Sequence, residues 1–249
     1  MLFMGWGPDP VWEKAQITAV ESACVSGVSI QMTVEVPVET AAGFAQAGQY
    51  VQVKATGVEK PAFLAIASAP DAENARFEFL IKKKENIEWL TNLKVGDSLD
   101  VSQVMGGGYP TEENLEGFKY DFPTQNVLLF AAGSGIAPIA SAIESGTLNA
   151  GGSRTCRLYY GERTSDDLCF VDRFTAWAAA GIEVVPVLSR PEPTWNGREG
   201  YVQTVLEEDG ITIPRNSGAL LCGMKGMTDS VKDLLVKAGV FEGRVLFNF

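Results

Sequence analysis

The chain of 249 residues contains no histidine. Without imidazole there can be no Ser-His-Asp triad, no Cys-His pair, no His-ligated metal and no imidazole base. Any chemistry must come from carboxylates, thiols or a borrowed cofactor. Cysteine is scarce as well: Cys24, Cys156, Cys169 and Cys222 lie far apart with no CxxC pair. They read as reduced buried thiols, which leaves neither a disulfide framework nor a zinc site, and no metal is expected. Positive charge is in short supply, with 20 Lys and Arg against 31 Asp and Glu for a net charge of −11. That balance argues against nucleic acid or an anionic membrane as the main partner. No apolar run reaches the ~18 residues of a membrane span. The opening Met-Leu-Phe-Met-Gly-Trp-Gly-Pro reads as neither a secretory signal nor an organelle transit peptide. The expectation is a soluble chain in a reducing compartment.

What the chain does have is 46% hydrophobic residues, ample for packed cores in one large or two small domains. Its two halves differ in period. In the first, Ser29–Val36, Tyr50–Lys54, Arg76–Ile81 and Ser98–Ser102 alternate apolar and polar residues, as strands with one wet face do. Gly96-Asp97 reads as a turn, and Asn86–Leu93 as one short helix. Five or six short strands with a single helix predict a small antiparallel β-barrel.

In the second half, apolar runs at Val127–Ala131, Arg157–Tyr160, Ile182–Leu188, Ala219–Cys222 and Val245–Phe249 alternate with helical patterns. The helices are expected over Ile139–Ser145, Asp167–Ala179, Tyr201–Glu208 and Met227–Ala238. Leu168, Val171, Phe174 and Trp177 form an apolar stripe on the second of them. This alternation predicts a five-stranded parallel sheet with helices on both faces. The division falls in the Gly/Pro-rich stretch 106–123. It gives an N-terminal extension (residues 1–11), a barrel domain (12–122) and an α/β domain (123–249).

The first strand-to-helix turn of the α/β half reads Gly133-Ser-Gly135-Ile-Ala-Pro138. Gly133 and Gly135 allow a sharp turn and leave no Cβ between the amides and a ligand. Pro138 suits a first helical turn, where its missing N–H costs nothing. Such a turn favours an anion, and in an open parallel sheet it lies on the ligand-binding rim. Tyr160-Gly161-Glu-Arg163, Ser189-Arg190 and Cys222-Gly223-Met-Lys-Gly-Met227 follow three other strands to the same rim. Each alone reads equally as a turn glycine, a surface arginine or a core cysteine. Their convergence argues for a ligand.

The order of barrel, GxGxxP, YGxR, SR and CGxxxM, with an aromatic last residue, resembles the ferredoxin–NADP reductase superfamily of flavin-dependent oxidoreductases. The likeness runs from about Trp12 to Phe249 and is strongest to the plant and algal "fruit protein" type, which shares stretches like Glu59–Ser68 and Val104–Tyr109. It implies hydride transfer from NAD(P)H to FAD and on to an unnamed acceptor, with cofactors FAD and NADP or NAD. Gly133, Gly135 and Pro138 would hold the dinucleotide pyrophosphate. Ser189 and Arg190 would meet the adenosine ribose, the arginine favouring a 2′-phosphate. Cys222 and Gly223 would face the nicotinamide, Gly161, Arg163 and Met227 would be further cofactor contacts, and Phe249 would lie against the flavin.

Where the family carries R-x-Y-S/T against the flavin, this chain has Ala62-Phe63-Leu64-Ala65. Flavin contacts then fall to the backbone of Phe63, Leu64 and Ala65. The alternative is a reductase-derived scaffold subunit that binds no flavin and sits in a larger host complex, a photosynthetic one among the candidates, with Phe3, Trp6 and Trp12 as anchors. A protein electron acceptor is the partner expected of the enzyme. Resemblance also suggests the plastid stroma, and otherwise the cytoplasm.

Overall fold

A computed structural model describes residues 9–71, 73–111, 125–152 and 154–248. Phe3, Trp6, the division at residues 122 and 123 and the terminal Phe249 lie outside the described residues.

The first sheet comprises β1 (Trp12–Ser22), β2 (Ser29–Glu35), β3 (Tyr50–Lys54), β4 (Ala62–Ala65), β5 (Arg76–Lys82) and β6 (Ser98–Ser102), in the order β4-β3-β6-β1-β2-β5. All its pairings are antiparallel. A bridge between Ile66 and Phe79 draws the two edges together and nearly closes the barrel. Alternate residues such as Met32, Val34, Val51, Val53, Phe77 and Phe79 fill the interior, as the period-2 pattern requires. Two short helices, α1 (Val38–Ala42) and α2 (Glu88–Thr91), interrupt the strands, and a 3₁₀ turn over Glu85–Ile87 leads into α2.

The second sheet is parallel and six-stranded. It runs β7 (Asn126–Ala132), α3 (Ile136–Glu144), β8 (Thr155–Glu162), α4 (Phe174–Ala179), β9 (Ile182–Leu188), β10 (Arg198–Glu199), α5 (Val202–Asp209), β11 (Ser217–Cys222), α6 (Lys225–Ala238) and β12 (Val245–Phe247). The extra strand over the predicted five is β10, whose two polar residues pair with Val187 and Leu188 of β9. A strand that short carries no apolar run to betray it. Odd and even residues of β7 pack on opposite faces, Val127 and Leu129 with α3, Leu128 and Phe130 with α5 and α6. That double burial explains why these strands read as continuous apolar runs.

One predicted helix is broken. Instead of spanning 167–179, the chain makes 3₁₀ turns at Ser165–Asp167 and Val171–Arg173 before α4. Leu168, Cys169 and Phe170 are consecutive and all buried, which one face of a helix cannot achieve. Phe170 takes φ 60° to wrap the chain around them. Val171, assigned to the apolar stripe, is instead exposed.

Several bonds cross between the two sheets. Ser26 Oγ donates to Asp167 Oδ1 at 2.7 Å, and the Ser26 amide to the Asp166 carbonyl at 2.9 Å. Arg173 reaches Glu78 of β5 at 2.8 Å and Glu144 of α3 at 3.1 Å, with its guanidinium stacked over Phe170. The buried Tyr109 hydroxyl donates to the Leu221 carbonyl at 3.3 Å.

Candidate functional site

Strand order in the parallel sheet, β10-β9-β8-β7-β11-β12, reverses direction of growth between β7 and β11. At such a switch point the loops leaving neighbouring strands diverge to opposite faces and open a crevice at their carboxyl ends. Both flanking loops here are glycine turns. After β7, Gly133–Gly135 form a 3₁₀ turn that leads straight into α3, with Gly133 at φ 59°. The first amides of such a turn have no partner inside the helix, and the helix dipole adds positive potential there. Ser134 is exposed, Gly133 half-buried and Gly135 buried.

The reason for Gly135 is steric. A Cβ there would collide with the carbonyl oxygen of Cys222, the last residue of β11. The two turns are thus pressed backbone to backbone. Gly223 is constrained from the other side, since its Cβ would collide with the Met227 side chain and stand 3.1 Å from Ala132. Met227 is buried in the first turn of α6 and acts as packing behind the turn; Met224, just outside, is 71% exposed at the crevice. Pro138 is buried in the first turn of α3. The Cys222 thiol is buried and its pKa is pushed up to about 12 by loss of water, so it stays protonated at neutral pH.

Along the same rim, the loops after β8 and β9 are stitched together. The Ser189 amide donates to the Glu162 carbonyl at 3.0 Å, and the Arg190 amide to the Arg163 carbonyl at 2.8 Å. Arg163 and Arg190 therefore lie side by side, both exposed. Gly161 sits under Val202, where a Cβ would stand 3.1 Å from its side chain.

Tyr201 and Glu162, assigned no role from sequence, also reach this rim, as does Lys82 from the lysine run 82–84. Tyr201 is 60% exposed, and the bond from the Gly200 amide to the Leu188 carbonyl holds it beside the end of β9. An aromatic residue directly after a glycine and before a helix was its available signal. Glu162 and Lys82 form an ion pair at 3.5 Å beside Gly133, with the carboxyl side chain only 3% exposed. Burial raises the Glu162 pKa, and the Lys82 charge opposes that rise. No local pattern links residues so far apart in the chain.

On the barrel, β4 places Ala62 and Leu64 inward, in the core. Phe63 faces out, 59% exposed, with its ring 5.9 Å from that of Tyr50. Tyr50 in turn lies on Gly106, where a Cβ would stand 2.8 Å from the ring and 3.7 Å from the Asn248 carbonyl. Alignment on Ile66-Ala67-Ser68 puts Leu64 at the family's tyrosine position; in the fold that side chain is inside the barrel, and Phe63 supplies the outward ring. This aromatic ledge fits a flat ring system. The neighbouring 3₁₀ turn and α2 begin with Glu85 and Glu88, both exposed, next to exposed Lys83 and Lys84. That segment fits a diphosphate through the lysines and not through the helix start, because α2 has only four residues.

Comparison with known proteins agrees with this geometry. Residues 129–233 match the family model described as the oxidoreductase NAD-binding domain. The chain is 38% identical to "Fruit protein pKIWI502" of Actinidia deliciosa over 82% of its own length and 66% of that protein, just under two thirds. It is 30% identical to ferredoxin–NADP reductase B of Sorangium cellulosum, covering 76% of this chain and 78% of that one. Among solved structures, a ferredoxin NADP⁺ reductase from Neisseria gonorrhoeae with bound FAD and NADP superposes with a TM-score of 0.77 at 17% identity, over 95% and 97% of the two chains. With a switch-point crevice in the parallel sheet and a near-closed barrel facing it, the chain belongs to the ferredoxin–NADP reductase family of FAD- and NAD(P)-dependent oxidoreductases.

Proposed function

We propose that this chain is an NAD(P)H-dependent flavin oxidoreductase with a preference for NADP. The observation that carries the proposal is the meeting of two glycine turns, after β7 and after β11, at the reversal of strand order. The amides of Gly133 and Ser134 hold the dinucleotide diphosphate, with α3 behind them. Arg163 and Arg190 take the adenosine 2′-phosphate, for which two neighbouring exposed guanidiniums are suited. Tyr201 offers its ring to the adenine, and Ser189 its hydroxyl to the ribose.

Bound FAD would supply the redox chemistry, hydride acceptance from a nicotinamide and onward electron transfer. The chain's own task is placement and exclusion of water. Phe63 and Tyr50 support the flavin ring, and the backbone of Leu64 and Ala65 continues that edge. Cys222 and Gly223 shape the nicotinamide pocket, the protonated thiol filling space without exchanging a proton. Phe249, outside the described residues, would shield the flavin, as the resemblance implies. The acceptor is a protein or small-molecule electron carrier, and similarity to a plant fruit protein supports a plastid setting.

The test is spectroscopic. The purified chain, incubated with FAD and freed of excess, should retain the yellow flavin absorbance and lose it when NADPH is added without oxygen. A protein that stays colourless would overturn the enzyme.

A second reading, a flavin-free scaffold subunit, is favoured by one observation: β4 presents no charged or hydroxyl side chain to the cleft. Under it, the colourless protein would still melt at a higher temperature with NADP if the dinucleotide rim survives, and would not respond at all if it serves only as an interaction surface.

A further inference from the structure

The dinucleotide turn has one flank covered by charge of the wrong sign. A Cβ on Gly133 would stand 3.8 Å from Glu162 Oε1 and 3.9 Å from Lys82 Nζ, so this ion pair lies against the turn itself. A buried carboxylate beside an anion-binding turn opposes the ligand the turn is shaped for. Lys82, at the end of β5, neutralises it from across the domain boundary. Of the other groups around Glu162, the Arg163 amide stabilises the charge by donating a hydrogen bond, whereas Asp167, from the 3₁₀ turn after β8, adds like charge. Tyr160 of β8 and Cys169 beyond it are both held protonated by burial. Gly133–Gly135 carry no titratable side chain.

We propose that Lys82 and Glu162 form a proton-coupled gate on the dinucleotide site. Resting on the nucleotide assignment made above, the gate works by exchange of partners. As the diphosphate arrives, the Lys82 ammonium turns from Glu162 to a phosphate oxygen. Glu162, left buried beside a dianion, takes one proton from solvent onto its carboxylate and becomes neutral. No covalent bond of the ligand changes; one proton moves from water to protein for each dinucleotide bound. Lys82 is free to make the move, because its side chain is 30% exposed on a flexible stem. Glu162 does not remain charged alone, because an unpaired buried charge is far costlier than a protonated one.

The sign of the pH dependence follows. Ligand binding removes the cation and adds anions, so the bound form holds the Glu162 proton to higher pH than the free form does. Affinity must then rise as pH falls, by up to about tenfold per pH unit over that interval. The gate also explains why a carboxylate is kept there: it rejects anions that cannot recruit Lys82.

The test is calorimetric titration of the full chain with NADP in buffers of different ionisation enthalpy. Wild type should take up close to one proton more than Glu162→Gln, which provides the baseline for the 2′-phosphate's own titration. The variant should bind NADP about tenfold more tightly at neutral pH, and its affinity should respond to pH only as the 2′-phosphate does. Equal proton uptake by the two proteins overturns the gate while leaving the nucleotide site standing. If the variant does not fold, NAD binding to wild type decides instead, since NAD has no 2′-phosphate: uptake of protons supports the gate and zero uptake overturns it. No binding of either nucleotide to wild type overturns both assignments.

Discussion

The two proposed cofactor faces of this molecule are made of different materials. The rim of the parallel sheet is made of backbone: Gly135 against the Cys222 carbonyl, Gly223 against Met227 and Ala132, amides opening onto the crevice. The barrel face is made of side chains, the rings of Phe63 and Tyr50 over Gly106. A backbone site is fixed by strand order and by the lack of Cβ atoms, so it survives replacement of almost everything around it. A side-chain site survives only as long as its own residues. In this chain the first kind keeps its form, whereas the second has exchanged the family's arginine, tyrosine and hydroxyl for an aromatic ledge.

The contrast can be broken most sharply at Gly135. Gly135→Val puts branched carbon into the Cys222 carbonyl. It should weaken NADP binding by roughly a hundredfold or more, about 2.7 kcal/mol. Far-ultraviolet circular dichroism should still show the barrel strands. Retained affinity would mean that the turn does not touch the ligand. Next in size is Arg190→Ala, expected to weaken NADP binding about ten- to hundredfold through loss of a charge-assisted hydrogen bond. NAD binding should hardly change; an equal loss for both nucleotides would remove the 2′-phosphate assignment.

On the barrel face, Phe63→Ala should raise the FAD dissociation constant about tenfold, from lost ring stacking and contact area. Its ring is mostly exposed, so the flavin-free protein should melt within ~0.5 kcal/mol of wild type. A large drop in that melting temperature would show Phe63 to be core and not ledge. The smallest effect belongs to Cys222→Ala. With the thiol's pKa near 12, protonation does not change across neutral pH, and the pH profile of NADPH oxidation should keep its shape. A shifted profile would make the thiol a proton carrier.

Much of this architecture could be read before any coordinates. The barrel strands β2, β3, β5 and β6 declare themselves by alternation, because one face is wet. The glycine turns declare themselves because each follows an apolar run. β1 is harder to see: a register shift between Ile17 and Ala19 breaks its alternation midway. The stripe at Leu168, Val171, Phe174 and Trp177 misleads because three-residue spacing also suits a chain wrapping around consecutive buried side chains. Pairs such as Lys82 with Glu162 and Arg173 with Glu78 leave no trace in the sequence, since the fold alone brings them together. Phe63, Leu64 and Ala65 were legible only as backbone contacts; that the Phe63 ring faces outward depends on strand register, which the motif alignment does not give.

The bonds that cross between the sheets have a kinetic meaning. Ser26, Arg173 and Tyr109 pin the barrel to the α/β sheet at separate places, from its hairpin tip to the glycine loop that follows β6. Bracing at several separate points opposes rotation of the described barrel against the described sheet. A small molecule entering the crevice then meets walls that are already in place.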